Sequence, residues 1–288
     1  MNIRFLGYVY HCMIWLIRFL IAGILGGLLA VLHYYSPLQL SSVVIYAGLI
    51  LFMTGVICLI HPIRTIFVRS RKAAACLIAV GIFGAALALS WPATTTTISA
   101  RTSLLDEAMP QYEFVEHHQI RVHAPLATAF SALQAVTLDE LAAYPYLMKV
   151  RNAAMGRSWS KPKGPSPAII AIFSDPRSGY MLIQKDEWEM VFGGLGRVRR
   201  TKEDQPILTS PAAFASFQQP GCVKVAFNLK VDEAGNGWTT ISTETRLHAP
   251  DPESRRGMAA YWRLIYPGSG MLRTMWLQAA RSRAERKQ

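Results

Sequence analysis

Apolar positions along the chain keep three different rhythms. Up to Trp91 they run nearly unbroken, from Tyr112 they alternate with polar positions in short segments, and from Pro252 they recur every third or fourth residue. Unbroken apolar runs of about 20 residues are long enough for a helix to cross a bilayer. Met13 to His33, Val43 to Ile60 and Ala73 to Trp91 each meet that length. Alternation with a period of two predicts strands with one buried face, and the longer period predicts an amphipathic helix.

The first alternating segment, "YEFVEHHQIRV", puts Phe114, Glu116, His118, Ile120 and Val122 on one face, so a carboxylate and an imidazole stand among core positions. Ala124 and Pro125 end the alternation, and "LATAFSALQAV" follows with Phe130, Leu133 and Val136 at helical spacing. Thr137 and Glu140 have the spacing of a capping box and predict a second helix running to about Asn152. After the Pro-rich "SKPKGPSP", the segments "AIIAIFS", "GYMLIQ", "DEWEMVFGG", "AAFASFQ", "CVKVAFNLKV" and "WTTISTETRLH" predict an antiparallel sheet of about six or seven strands. In the fifth of these, Val223, Val225, Phe227, Leu229 and Val231 should face the core, with Lys224, Asn228, Lys230 and Asp232 outward. "DEAGNGW" reads as a hairpin loop.

"GGLGR", Gly193 to Arg197, lacks the spacing of a phosphate-binding fingerprint, so a turn or bulge is expected there. Asp251 as N-cap and Pro252 at the first turn open the C-terminal helix, and "PGSG" at Pro267 to Gly270 is expected to kink or split it. Its apolar set is Met258, Tyr261, Trp262, Ile265, Met271, Leu272, Met275 and Trp276. The fold class expected is α+β: an antiparallel sheet wrapped on a long C-terminal helix, preceded by three transmembrane helices. Residues 1–92 form the anchor, 93–110 a polar linker and 111–288 the folded domain.

Charge orients the anchor. The first 92 residues contain no Asp or Glu, and "HPIRTIFVRSRK" gathers four cations between the second and third runs, while "YYSPLQLSS" between the first and second is uncharged. The positive-inside bias places the basic connection and the N-terminus in the cytoplasm. Residues 112–288 are then extracytoplasmic, on a multi-pass protein of the plasma or inner membrane. Arg18 reads as a side chain snorkelling at the cytoplasmic end of the first run, and the small-residue pairs Gly23 with Gly27 and Gly81 with Ala85 would let helices pack closely. The net charge of +12 comes without a nucleic-acid-binding motif, and the four cysteines offer neither a disulfide framework nor zinc spacing. No metal, no cofactor and no nucleic acid partner is implied. The basic tail of Arg281, Arg283, Arg286 and Lys287 reads either as a solvated helix end or as a contact for anionic head groups.

Two stretches carry a family resemblance: "EHHQIRVHAPLATAFSAL" and "TETRLHAPDPESRRGMAAYWRLIYPGSGMLRTMW". Over about Tyr112 to Arg286 the chain resembles the START-like, or SRPBCC, superfamily with its helix-grip fold, in particular a bacterial subset without a settled activity. It departs from that subset in Glu116-His117-His118, where Glu-Arg-His is common, and in Ala129, where valine is frequent. The resemblance implies a deep cavity between the sheet and the C-terminal helix that holds a hydrophobic small molecule or lipid. Glu116, His118, Tyr261, Trp262 and Ile265 would line it, with Arg246 or another facing cation able to pair with Glu116. The function expected is a membrane-anchored binding protein without catalytic residues. A cyclase- or hydrolase-like enzyme using the same cavity, and a sensor or assembly subunit that binds a protein partner, are the alternatives. Glu116 and His118 can also be a purely structural hydrogen-bonded pair, and Trp262 a core anchor.

Overall fold

The computed structural model describes residues 39–60, 68, 70–154, 156–160, 164–198 and 206–286, together with residues 27 and 30. Apart from residues 27 and 30, the first expected span, with Arg18 and Gly23, lies outside the described residues. The chain divides into two compact units, residues 1–91 and 92–288.

Among the described residues of the first unit, two helices are long and apolar enough to cross a membrane: α1, Leu40–Ile60, and α2, Arg71–Ser90. Ser70 caps α2 by accepting from the Ala73 amide at 3.1 Å. The two helices meet through glycines, because a Cβ on Gly48 would stand 2.7 Å from the Gly81 carbonyl oxygen and one on Gly81 2.5 Å from that of Gly48. Hydrogen at those positions is what allows backbone to touch backbone. Ile50, Met53, Ile57, Val80, Phe83 and Leu87 stay exposed on the outside of this pair.

The second unit is α+β. Its first elements are β1, Thr96–Thr97, and α3, Leu104–Ala108; then come β2, Gln111–Tyr112, β3, Phe114–Val122, and α4, Leu126–Ala135. The next are α5, Tyr144–Ala154, and α6, Ile169–Ser174, with β4, Tyr180–Lys185, and β5, Glu189–Arg197. α7, Pro211–Ser216, β6, Cys222–Glu233, β7, Thr239–His248, and α8, Pro252–Arg286, complete the chain. Five strands form one antiparallel sheet in the order β3-β7-β6-β5-β4. One face carries α4, α6 and α8 over Val122, Phe192, Phe227, Leu229 and Ile241. The other carries α3 and α7 over Val191, Ala226 and Ile183.

The sheet has five strands where about six or seven were expected, because two segments with strand-like alternation are helices. In "AAFASFQ", Ser210 accepts from the Ala213 amide at 3.1 Å and Pro211 occupies the first turn, a start signal that the apolar alternation hid. "AIIAIFS" is short enough to fit either period, and it coils into α6. Residues 93–110 are not a free polar tether either: β1 pairs with β2, and α3 buries Leu105 and Asp106. Glu189 accepts from the Leu104 and Leu105 amides at 3.0 and 3.3 Å, which fixes the start of α3 on the sheet.

Four further expectations are revised. The capping box at Thr137 and Glu140 forms, yet it closes a 3-10 turn, Leu138–Glu140, and the helix starts later, at Tyr144. Pro145 sits in the first turn of α5, where its missing amide is tolerated. "GGLGR" is continuous strand: Gly193 and Gly194 pair on both sides, and a Cβ on them would meet Ile183 at 2.7 Å and Tyr180 at 2.8 Å. α8 is not split, since Pro267 lies inside one uninterrupted helix. Lys224 and Asn228, expected outward, are buried because α3 and α7 cover their face. The alternation of β3 holds throughout, with Phe114, Glu116, His118 and Val122 buried and His117, Gln119 and Arg121 exposed. The hairpin between β6 and β7 turns through Gly235, Asn236 and Gly237, all at positive φ.

Candidate functional site

Glu116 and His118 face α8 from the outer strand β3. Glu116 is 2% exposed. His118 Nε2 lies 3.1 Å from its Oε1, and the Ser269 hydroxyl donates to its Oε2 at 2.6 Å. The other ring nitrogen, Nδ1, stands 3.4 Å from Thr274 Oγ1. On the next strand Thr245 is directly opposite Glu116 and Thr243 opposite His118. Thr243 donates to the Asn228 carbonyl at 2.7 Å, whereas the buried Thr245 hydroxyl has no hydrogen-bond partner among the described residues.

This polar layer separates two apolar clusters beneath α8. Towards the start of the helix lie Phe114, Val223, Leu247, Met258, Trp262 and Tyr266. Towards its end lie Val122, Phe130, Leu133, Phe192, Phe227 and Trp276. A ring cluster caps the layer on the second side: Phe173 is 4.7 Å from Phe227 and 5.0 Å from Tyr180, and Phe192 stacks on Phe227 at 5.2 Å.

Arg273 stands at the junction. The inward stripe of α8 runs through Ala259, Trp262, Tyr266, Gly270, Leu277, Ala280 and Ala284, and Arg273 fills the helical position between Gly270 and Leu277. Its guanidinium lies 4.4 Å from the Phe227 ring centroid and 5.7 Å from that of Trp276. Burial pushes its pKa down, while the charges of Glu116 and Tyr180 act the other way. Burial also raises the Tyr180 hydroxyl; Arg273 and Arg151 act against that shift and Tyr261 adds to it. Tyr180 can lie across the sheet because Gly194 beside it has no side chain. Tyr180, Tyr261 and Arg273 each keep part of their surface accessible. α5 borders α8 through Leu147, which would be 3.6 Å from a Cβ on Gly268, and none of the residues of α5 is fully buried.

Of the residues expected at a site, Glu116 and His118 are joined directly. Tyr261 and Ile265 are half-buried beside the first apolar cluster, and Trp262, 3% exposed, lies within it, its ring edge-on to Tyr266 at 5.8 Å. Arg246 does not pair with Glu116: it faces the opposite side of the sheet and binds Asp106 and Glu244, each at 2.6 Å. Sequence reasoning missed Ser269, Thr274, Thr245, Tyr180 and Arg273. Ser269 lies within the helix-breaking signal "PGSG", and Arg273 is recognisable only once the helix is taken through Pro267 without interruption.

Two open depressions lie elsewhere. One of about 340 Å³ is lined by Ala127, Phe130, Ser131, Gln134, Ala135 and Trp188, and one of about 440 Å³ by Ser282, Glu285 and Arg286. Neither includes a residue of the polar layer. Among the described residues, no cluster of three or more His, Cys, Asp or Glu side chains is placed to hold a metal ion.

No family description matches the chain, and no curated protein does. Among solved structures, a hypothetical protein from Helicobacter pylori aligns over 66% of this chain and 98% of its own, with 10% identity and a TM-score of 0.30.

Proposed function

We propose that this chain is a membrane-anchored binding protein of START-like, helix-grip build that holds a hydrophobic or amphipathic small molecule between the sheet and α8. The observation that carries the reading is the polar layer of Glu116, His118 and Ser269, set inside an apolar interface next to the half-accessible Tyr180, Tyr261 and Arg273. Well-packed apolar side chains in place of buried ionisable groups are often neutral or stabilising, so stability alone gives little reason to keep them. A ligand with an apolar body and a polar end does. Its body would gain ~25 cal/mol per Å² of apolar surface removed from water, and the polar groups would fix its orientation. α1, α2 and the apolar run Met13 to His33 serve as three spans, and the basic connection before α2 holds residues 92–288 on the extracytoplasmic side.

Native mass spectrometry of the full chain, purified in detergent and exchanged into a second detergent, tests the binding. A small apolar molecule retained by the wild type and lost from the Glu116→Gln, His118→Asn double variant is the expected result. A folded wild type that retains nothing beyond what an unrelated membrane protein carries through the same exchange overturns it. For sidedness, a C-terminal alkaline phosphatase fusion should be active and a C-terminal green fluorescent protein fusion dark; the reverse pair overturns the topology.

A further inference from the structure

We infer that Arg273 is the seat for an oxyanion head group, so that the ligand is an anionic amphiphile, carrying a carboxylate or phosphate at one end of an apolar body. The inference rests on the binding reading above and names the ligand class for it.

The position is the first argument. Each neighbour of Arg273 along the inward stripe of α8 is small or apolar, so its place calls for a hydrophobe of the size of Leu277. A guanidinium there, only partly accessible, gives up part of its hydration, a cost that an anion beside it would offset. Its Cζ stands over the Phe227 ring, 4.4 Å from the centroid, and 5.7 Å from that of Trp276. A cation held over a ring in this way can still direct its N–H groups to an acceptor.

Those donors have no acceptor among the described residues, with which Arg273 makes neither a hydrogen bond nor an ion pair. The nearest candidate, Glu116, is already engaged on both oxygens, by His118 at 3.1 Å and Ser269 at 2.6 Å. Its charge reaches Arg273 and supports the cation without occupying the donors.

Thr245 is a second, independent pointer. Its hydroxyl is buried, the residue being 4% exposed, and has no partner among the described residues. Cross-strand pairing sets it between Glu116 on β3 and Phe227 on β6, and residues directly opposite in a sheet share a face. It therefore stands beside the residue over whose ring Arg273 lies. A guanidinium and an unpaired hydroxyl reaching the same side of the sheet, near the partly accessible Tyr180 and Tyr261, would form the donor set of a bidentate oxyanion site. The apolar cluster of Phe114, Leu247, Trp262 and Tyr266 begins one layer away and would take the hydrocarbon.

Titration calorimetry on the full chain in nanodiscs of zwitterionic lipid, with empty nanodiscs subtracted, tests this using octanoate, octyl phosphate and 1-octanol as probes of equal chain length. The wild type should bind octanoate or octyl phosphate at least about tenfold more tightly than octanol, the scale of one charge-assisted hydrogen bond, and the stronger of the two names the head group. In Arg273→Leu the preference should fall to about one while octanol still binds, which also shows that the variant is folded. Thr245→Val should lose part of the preference. Octanol bound without a preference for either anion, or a preference that survives Arg273→Leu, overturns the inference and leaves the binding reading standing. If none of the three probes binds, both fall.

Discussion

Arg246 and Asp106 meet at 2.6 Å across 140 residues of sequence, and both side chains are almost wholly out of solvent. Arg246 also donates to Glu244 at 2.6 Å and to the Met109 carbonyl at 3.0 Å, and lies 4.8 Å from the centroid of the Tyr112 ring. The segment before the first long strand is thereby fastened to the middle of the sheet.

Removing one member of such a pair leaves a buried charge uncompensated and typically destabilises by ~3 to 5 kcal/mol. Arg246→Met in a fragment of residues 92–288 should fall in that range by urea unfolding. The double variant with Asp106→Asn should be less destabilised than the sum of the two single changes, since both remove the same contact. Strict additivity would show that the pair contributes nothing.

The same pair sets an acid limit. Burial alone would raise Asp106, but the Thr102 amide and Arg246 bring it down to about 2 from an ordinary 3.8. A carboxyl with a folded pKa below its unfolded one adds stability that is complete above the unfolded value and disappears as pH falls through the folded one. For Asp106 the window is pH 3.8 to about 2, and the amount is about 2 kcal/mol. Glu140, held at about 2 chiefly by Arg283, acts in the same direction from 4.5 downwards. Urea midpoints measured between pH 5 and 2, a range of about three units, should decline steeply in the wild type and more gently in Arg246→Met. Parallel profiles would refute the assignment.

Gly194→Ala introduces a Cβ 2.8 Å from the Tyr180 ring, and the ring must move. A loss of ~1 to 3 kcal/mol is expected, as for other overpacked positions. Tyr180→Ala should make the second change nearly silent, because the clash is then gone. Chemical denaturation of the four-member cycle gives the answer directly.

Trp262 separates shape from polarity. Its ring is buried in an apolar cluster, and its Nε1 has no hydrogen-bond partner among the described residues. Trp262→Ala should cost ~3 to 5 kcal/mol, while Trp262→Phe, which gives up an unused donor, should cost far less. Thermal melts of both variants check this, and similar losses in the two would point to an unseen partner for the indole.

Much of the second unit was legible because its strands keep strict alternation and its long helix has a clean start. Asp251 accepts from the Ser254 amide at 2.8 Å with Pro252 in the first turn, as its sequence implies. The faces of β3 were readable for the same reason: nothing but alternation decides them. What failed was decided by neighbours that no local pattern encodes. Lys224 looks like a solvent-facing strand residue, yet it is buried, its ammonium 4.7 Å from the Phe214 ring centroid and bonded to the Ala215 carbonyl at 3.1 Å. Gly193 reads as a turn until Ile183 and Phe214 are seen to need its space. The site was half legible. Glu116 and His118 follow from the period of two, but Arg273 becomes visible only when the helix phase is carried across Pro267, where local rules say to stop.

The layer between the two apolar clusters also gives α8 an uneven grip. Hydrocarbon holds each end, while the middle, from Pro267 to Gly270, offers a residue without an amide proton and two glycines. Segments joined through so weak a middle tend to open as separate cooperative units. Release of the first half would uncover Phe114, Leu247 and Trp262 while Trp276 keeps its bond to the Leu133 carbonyl. The helix would then open as a latch with one fixed end, without global unfolding of the unit. Amide hydrogen exchange reads this as two levels of protection along a single helix, the lower one before Gly270.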